Sequence, residues 1–364
     1  MNVFASLEIK CDFYVEGWIE YQNVDSCFST LLYNQGYKID IEGANLISNS
    51  SDYSDCVKAI EVNHNGTFKV FFNGFVDVPE KMALIKTEDY LEVNGNCAVT
   101  PIFKEFPHAD YKVLVKIPDD FGIVGFDKIE ENKYVRYDIN ACHVAFIVYR
   151  NNLVQSFCQD NVTVIAGKHY DSNKLKEMCK ICLDVINEYK TFLGMNRYRS
   201  YYIVVNPRNY NGAYVEGNII SLVDRIEGLD IDTFLHLAHE ISHFWWNNCL
   251  LNNNNRWIAE TFAQYSALML IRDKYGENEF MKIINGFKNQ TIKMPSLSSI
   301  DDQTESNVVF SIHYYKGPYL FYKLEQELGR EKMKRLFYKC HKEQIKTSDD
   351  FLKICPEFTK YYKM

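Results

Sequence analysis

The sequence lacks several features that would place it at once. It has no run of about eighteen apolar residues, so no membrane-spanning helix is expected. Met1 to Lys10 (MNVFASLEIK) has no basic start followed by an apolar stretch and a small-residue cleavage site, so no secretory leader is predicted. No internal repeat, low-complexity tail or Pro/Gly-rich linker is visible, which excludes repeat arrays and tethered modules. Positive charge is in deficit, with 40 Lys and Arg against 48 Asp and Glu for a formal net charge of −8. That balance argues against nucleic acid or an anionic membrane as the main partner. The eleven cysteines follow no framework and their number is odd. Without a leader they read as reduced thiols in a cytoplasmic protein.

One cysteine pair invites a redox or metal reading. Cys179 and Cys182 lie in SNKLKEMCKICLDVINEYKTFLG, where Leu175, Met178, Cys179, Cys182, Leu183 and Ile186 share one helical face. No second CxxC occurs and no strand-turn context precedes this one. Two buried structural thiols are the expected outcome.

What is present is a large apolar stock: 47% of the 364 residues are hydrophobic and 15% aromatic, enough for two or three packed domains. The first ~165 residues alternate with a period of two. Runs such as FYVEGWIEY, CFSTLLY, YKIDIEG, TFKVFFNGFVDV, YKVLVKI and HVAFIVYR predict short strands. The pairs Asn65-Gly66, Asn73-Gly74 and Asn94-Gly95 are expected to break them. After about residue 168 the period lengthens. Helices are predicted near Asp171–Phe192, Ile231–Asn248, Asn255–Tyr275, Glu277–Phe287, Tyr314–Leu328 and Arg330–Gln344. Strands are expected at Tyr201–Asn206 and Gly217–Leu222. The expected class is α+β: a β-sandwich or saddle-like domain over residues 1–165, then a mainly helical domain over 166–364.

The helical half carries the chemistry. His239-Glu240-Ile241-Ser242-His243 places two imidazoles at i and i+4, on one side of a helix. That is the arrangement a tetrahedral zinc takes from two neutral nitrogens. Glu240, beside the first histidine, is placed to act as general base on an attacking water. Five residues alone are modest support, because such strings arise by chance. The flanks strengthen it: Phe234, Leu235, Leu237, Ala238, Ile241, Phe244 and Trp245 predict burial nearly all round. Buried polar groups without partners cost about 1–3 kcal/mol each, and one ion would satisfy them. A third ligand is needed. In RWIAETFAQYSALML, Glu260 lies on an apolar face among Trp257, Phe262 and Ala263, where a carboxylate has no bland explanation. His236, one turn before His239, is read as a packing or supporting residue rather than a ligand.

These residues resemble the aminopeptidase N-like gluzincin zinc metallopeptidases. In that family an HExxH helix with an aromatic end precedes a W-x-x-E-x-x-A helix. Here these are His239 to Trp246 and Trp257 to Ala263. Sixteen residues separate His243 from Glu260 where most members have eighteen, a difference assigned to a shorter loop at Leu250–Asn255. The family's Tyr-x-Lys-Gly motif is similar to Tyr314-Tyr315-Lys316-Gly317, which implies that Tyr314 donates to the oxyanion. The family's glutamate for the substrate α-amine has its nearest counterpart in Glu216, within Gly212 to Asn218, although the motif order differs. The resemblance implies a thermolysin-like catalytic domain, one Zn2+ per chain on His239, His243 and Glu260, and a peptide substrate. It implies removal of N-terminal residues, with an open-cleft endopeptidase or oligopeptidase as the alternative and a degenerate peptide-binding module as a further one. The helical domain that roofs the site in larger members is expected to be missing.

Overall fold

The computed structural model describes residues 1–48, 50–78, 86–94, 97–105, 107–141, 143–207, 212–223, 229–247 and 253–364. Gly95 of the expected Asn94-Gly95 turn and positions 250–252 of the expected short loop lie outside the described residues. The chain is β-rich in its N-terminal part and helical in its C-terminal part. Its contacts divide it into two compact units, residues 1–158, 163–175 and 200–224 in one and 159–162, 176–199 and 225–364 in the other.

The first unit is built on a ten-stranded sheet and a three-stranded sheet, with most of a five-stranded sheet. The first strand, Asn2–Ile9, shows the physical basis: Val3, Ala5, Leu7 and Ile9 point inward and their neighbours outward. The three-stranded sheet (Phe121–Val124, Phe146–Arg150 and Tyr90–Val93) is covered on both faces. Leu91, Val93, Phe121, Ile123, Phe146 and Val148 join the core shared with the large sheet. Tyr90, Val124 and Ile147 turn the other way and pack with Ile165, Val204 and Ile219 of the five-stranded sheet. A strand buried on both faces must be apolar at every position, which is why FIV is a continuous apolar run.

The structure corrects one turn expectation. Asn65-Gly66 and Asn73-Gly74 do not separate strands; both lie inside a single 19-residue strand, Val57–Phe75. Its partner along one edge is Phe28–Asn34 up to Asn63 and Tyr14–Gln22 from Thr67 onward. The opposite neighbour, Tyr37–Leu46, shifts register over the same stretch, between Glu42 and Ala44. Gly66 sits at φ +85° where the partners change, so its left-handed backbone bends the strand rather than ending it.

The helical unit follows the sequence expectation closely. Its helices are α1 (Ser172–Leu193, from Lys176 onward in this unit), α2 (Ile231–Trp246), α3 (Asn253–Tyr275), α4 (Glu277–Thr291), α5 (Ser306–Ser311), α6 (Gly317–Leu328), α7 (Arg330–Lys342), α8 (Ser348–Ile354) and the short α9 (Thr359–Tyr362). A π-helical turn at Ile312–Lys316 joins α5 to α6. Cys179 and Cys182 are fully buried on α1 and unbridged, the structural thiols expected from their spacing. Among the described residues, no helix is long and apolar enough to cross a membrane.

The centre of this unit is α3. Trp246 and Phe262 lie 4.6 Å apart between ring centroids, and Phe262 also meets Phe321 at 4.8 Å and Phe337 at 4.7 Å. Trp257 stacks on Phe358 and hydrogen-bonds from its indole nitrogen to Ser348 Oγ at 2.9 Å. Truncating one such aromatic costs on the order of 3–5 kcal/mol. Helix α3 is thereby clamped along its length, and the residues on it are fixed in direction.

Candidate metal centre

Helix α2 begins at Asp230, whose side chain accepts from the Thr233 amide at 2.9 Å, the preferred way to satisfy a free helix-start N–H. The helix is then held from several sides. Tyr189 Oη donates to the Ala238 carbonyl at 2.8 Å, Trp245 donates to Gly194 O at 2.7 Å, and Trp246 donates to Ser266 Oγ at 3.1 Å. Phe234, Leu237, Ala238, Ile241, Phe244 and Trp245 are buried as the sequence predicts, and Trp246 with them, whereas Leu235 is only partly buried and His236 exposed, so burial is not all round. His239, Glu240 and His243 are buried with them, at 4%, 7% and 9% exposure.

The two imidazoles turn their Nε2 atoms toward each other, 3.1 Å apart. Glu260 Oε2, from α3, lies 3.5 Å from His239 Nε2 and 3.4 Å from His243 Nε2. Burial opposes the charge on Glu260, but the two imidazoles outweigh it and hold the carboxyl well below its usual range.

This donor set fits a small divalent cation. Two zinc bonds of about 2.1 Å at the tetrahedral angle end roughly 3.4 Å apart, close to all three separations. Among the described residues Glu260 Oε2 makes no hydrogen bond of normal geometry, although both imidazole nitrogens face it. One cation takes a lone pair from each of the three atoms. His239, His243 and Glu260 are therefore a group that could hold a metal ion.

The Tyr-x-Lys-Gly stretch is positioned by α3. Thr261, next to Glu260, donates from Oγ1 to the His313 carbonyl at 2.9 Å, which sets the π turn that carries Tyr314. A Cβ on Gly317 would lie 2.1 Å from that same Thr261 Oγ1, so only glycine permits the approach. Lys316 is buried and donates from Nζ to the carbonyls of Met294 and Pro295, both at 2.9 Å. The Tyr314 ring stacks on His239 at 5.3 Å and on Phe310 at 4.5 Å. Burial first, then the charge of Glu260, raises the Tyr314 pKa, so its hydroxyl stays a donor. Inserted π turns are frequent at functional sites.

Glu240 lies between the two histidines in sequence, with His236 Nδ1 4.0 Å from its Oε1. His236 is nearly half exposed and is not in the metal-capable group.

Two residues near the group were not foreseen. Arg256, one turn before Glu260 on α3, places Nε 3.5 Å from Glu260 Oε1. Phe310 backs Tyr314. Both line a cavity of about 230 Å³ with Glu260, Ser306, Val309, His313 and Tyr314. The i, i+4 spacing of Arg256 and Glu260 was a readable signal; nothing in the sequence pointed to Phe310.

Glu216 belongs to the other unit. It ends the edge strand Tyr214–Glu216, antiparallel to Ile219–Val223. Its Oε2 is 2.8 Å from His143 Nε2. Burial works against a charged His143, yet the Glu216 carboxylate outweighs it and raises the imidazole pKa. Glu216 is thus an ion-paired carboxylate on a strand.

No family model and no curated protein matches the sequence. Solved structures do match. Native leukotriene A4 hydrolase from yeast superposes with a TM-score of 0.73 at 16% identity, over 100% of this chain and 65% of that one. The yeast enzyme in complex with bestatin gives 0.75 at 16%, over 99% and 64%. An M1 zinc metallopeptidase from Deinococcus radiodurans gives 0.71 at 12%, over 98% and 89%. The chain therefore spans about 65% of the length of the yeast enzyme. Its fold, a β-rich part followed by a helical part, is that of these zinc metallopeptidase and leukotriene A4 hydrolase structures, as the resemblance to aminopeptidase N-like gluzincins implied.

Proposed function

We propose that the protein is a zinc-dependent peptidase that removes N-terminal residues from peptides. The observation that carries the reading is the convergence of His239 Nε2, His243 Nε2 and Glu260 Oε2 at tetrahedral ligand spacing inside a buried helix pair. The shared fold supports it. A neighbour of that fold holds bestatin, which supports a peptide-like ligand here.

Zinc, when bound by these three residues, supplies Lewis acidity toward a peptide carbonyl. The chain's own groups do the rest. Glu240 takes a proton from the attacking water and returns it to the leaving amine. Tyr314, kept protonated by burial, donates to the oxygen on which negative charge develops. Phe310 stacks on the phenol and limits its rotation. The assignment of the peptide's α-amine to Glu216 rests on the motif resemblance alone.

The metal reading is tested by elemental analysis of the purified protein, with one zinc per chain expected. Protein that carries none, and takes up none on addition, ends it. Exopeptidase action is tested with chromogenic amino-acid amides against N-blocked peptides. Free-amine substrates should be cut and blocked ones spared; the reverse pattern makes the protein an endopeptidase on the same metal centre.

A further inference from the structure

The 230 Å³ cavity beside the metal-capable group has an unbalanced chemistry. Val309, Phe310 and the ring of Tyr314 give it apolar lining. The one guanidinium among the lining residues is that of Arg256. Among the described residues its sole ionic partner is Glu260, through Nε at 3.5 Å, and its side chain is 55% exposed. The two terminal nitrogens of the fork, which together favour a carboxylate in bidentate fashion, have no partner among these residues. Glu260 cannot neutralise Arg256 fully, because its other oxygen is turned to the two imidazoles.

We infer that Arg256 anchors a carboxylate carried by the residue on the leaving side of the scissile bond. The inference rests on the peptidase reading for its substrate class. Distance supports the assignment: Arg256 Nε is 3.5 Å from Oε1 of Glu260, whose Oε2 joins the histidine nitrogens. Successive Cα atoms in a peptide are about 3.8 Å apart, so Arg256 lies within a residue or two of a carbonyl held at that group. The preferred substrates are then dipeptides, whose terminal carboxylate lies at that position, or longer peptides with an acidic side chain there. Nothing in this assignment moves a proton or breaks a bond; Arg256 sets specificity, and its charge adds to that of the bound cation.

The test is a binding measurement on zinc-loaded Glu240→Gln protein by calorimetry, so that the peptides are not consumed. Ala-Ala, with a free carboxylate, should bind at least tenfold more tightly than Ala-Ala-amide. Arg256→Gln should reduce that ratio to within about twofold. Val309→Glu, which adds a negative charge to the cavity lining on a different element from Glu260, should weaken Ala-Ala about tenfold and leave the amide unchanged; this keeps the test decisive should Arg256→Gln lose zinc. Equal binding of acid and amide overturns the assignment, as does a preference that survives both substitutions. Ala-Asp-amide separates the two carboxylate sources: affinity like that of Ala-Ala admits acidic side chains, and affinity like that of Ala-Ala-amide confines the anchor to the chain terminus. Turnover by the unsubstituted enzyme is read separately. If neither peptide is cleaved, the peptidase reading falls while the binding ratio still decides the role of Arg256.

Discussion

Helix α3 carries a buried charged site toward each end, and the two are built on opposite plans. Toward its C-terminus, Arg272 meets Glu325 of α6 through two parallel contacts of 2.6 and 2.9 Å, and Tyr265 donates to Glu325 Oε2 at 2.9 Å. Both carboxylate oxygens have donors, and Arg272 also lies 4.3 Å over the Phe280 ring. Near the N-terminus, Glu260 presents one oxygen to Arg256 at 3.5 Å and turns the other toward two imidazole nitrogens at 3.4 and 3.5 Å, with no hydrogen bond of normal geometry on that oxygen. Two carboxylates of similar burial on neighbouring helices thus read differently. The satisfied one is structure; the other, facing two imidazoles, belongs to a group that could hold a metal ion.

Substitutions can break this contrast, and the largest effect belongs to the metal group itself. Glu260→Ala and His243→Ala should each purify with little or no zinc and no measurable peptide hydrolysis; full zinc occupancy in Glu260→Ala would contradict its assignment as a ligand. Glu240→Gln should keep its zinc while kcat falls about 10²- to 10⁴-fold, the usual range for a lost general base. Unchanged turnover removes Glu240 from that role. At the other end of α3, Glu325→Ala should cost about 3–5 kcal/mol of stability by leaving buried Arg272 with only its long contact to Glu277 at 3.9 Å. Its zinc content, measured below the lowered unfolding midpoint, should stay at the wild-type level. If zinc is lost instead, the two sites are not independent and the contrast fails.

Tyr314→Phe should lower kcat by about 10²- to 10³-fold, the effect of deleting one oxyanion donor, with zinc retained. A loss shared equally by Tyr315→Phe would reassign the role within the motif. The smallest effect concerns a third carboxylate, Glu216, whose partner is a histidine rather than an arginine. The folded-state pKa of His143 is raised, so the pair's contribution is fully present below the unfolded value near 6.5 and fades as pH rises through the raised one. His143→Asn should therefore lower the unfolding midpoint at pH 5–6 and matter less at pH 9. A midpoint difference that grows with pH has the wrong sign for this pair.

The legibility of these regions differs for the same reason. His239, His243 and Glu260 were readable because a helix turns spacing into direction: i and i+4 share a face whatever the rest of the chain does. Glu260 was readable because a carboxylate among Trp257, Phe262 and Ala263 violates the apolar pattern around it. Tyr314 was assigned through resemblance, and the structure supplies the physics: Thr261 holds the π turn and Gly317 allows it close. The function of Gly66 was not legible. An Asn-Gly pair marks a left-handed residue, but whether the strand ends or bends there depends on which strands lie beside it.

By itself, then, the sequence determined what local periodicity and composition control: strands first and helices after, the faces of α2 and α3, and which three side chains could hold a metal ion. Tertiary structure alone decided the quantities that depend on partners distant in the chain. Phe310 meets Tyr314 within one short segment, but the cavity they wall with Arg256 closes only when α3 packs against the π turn, some fifty residues further along. Glu216 could be named as an acid near a strand, while its pairing with His143, 73 residues away, required the sheet to form. Local spacing fixes which way a side chain points; what it meets there is set by packing.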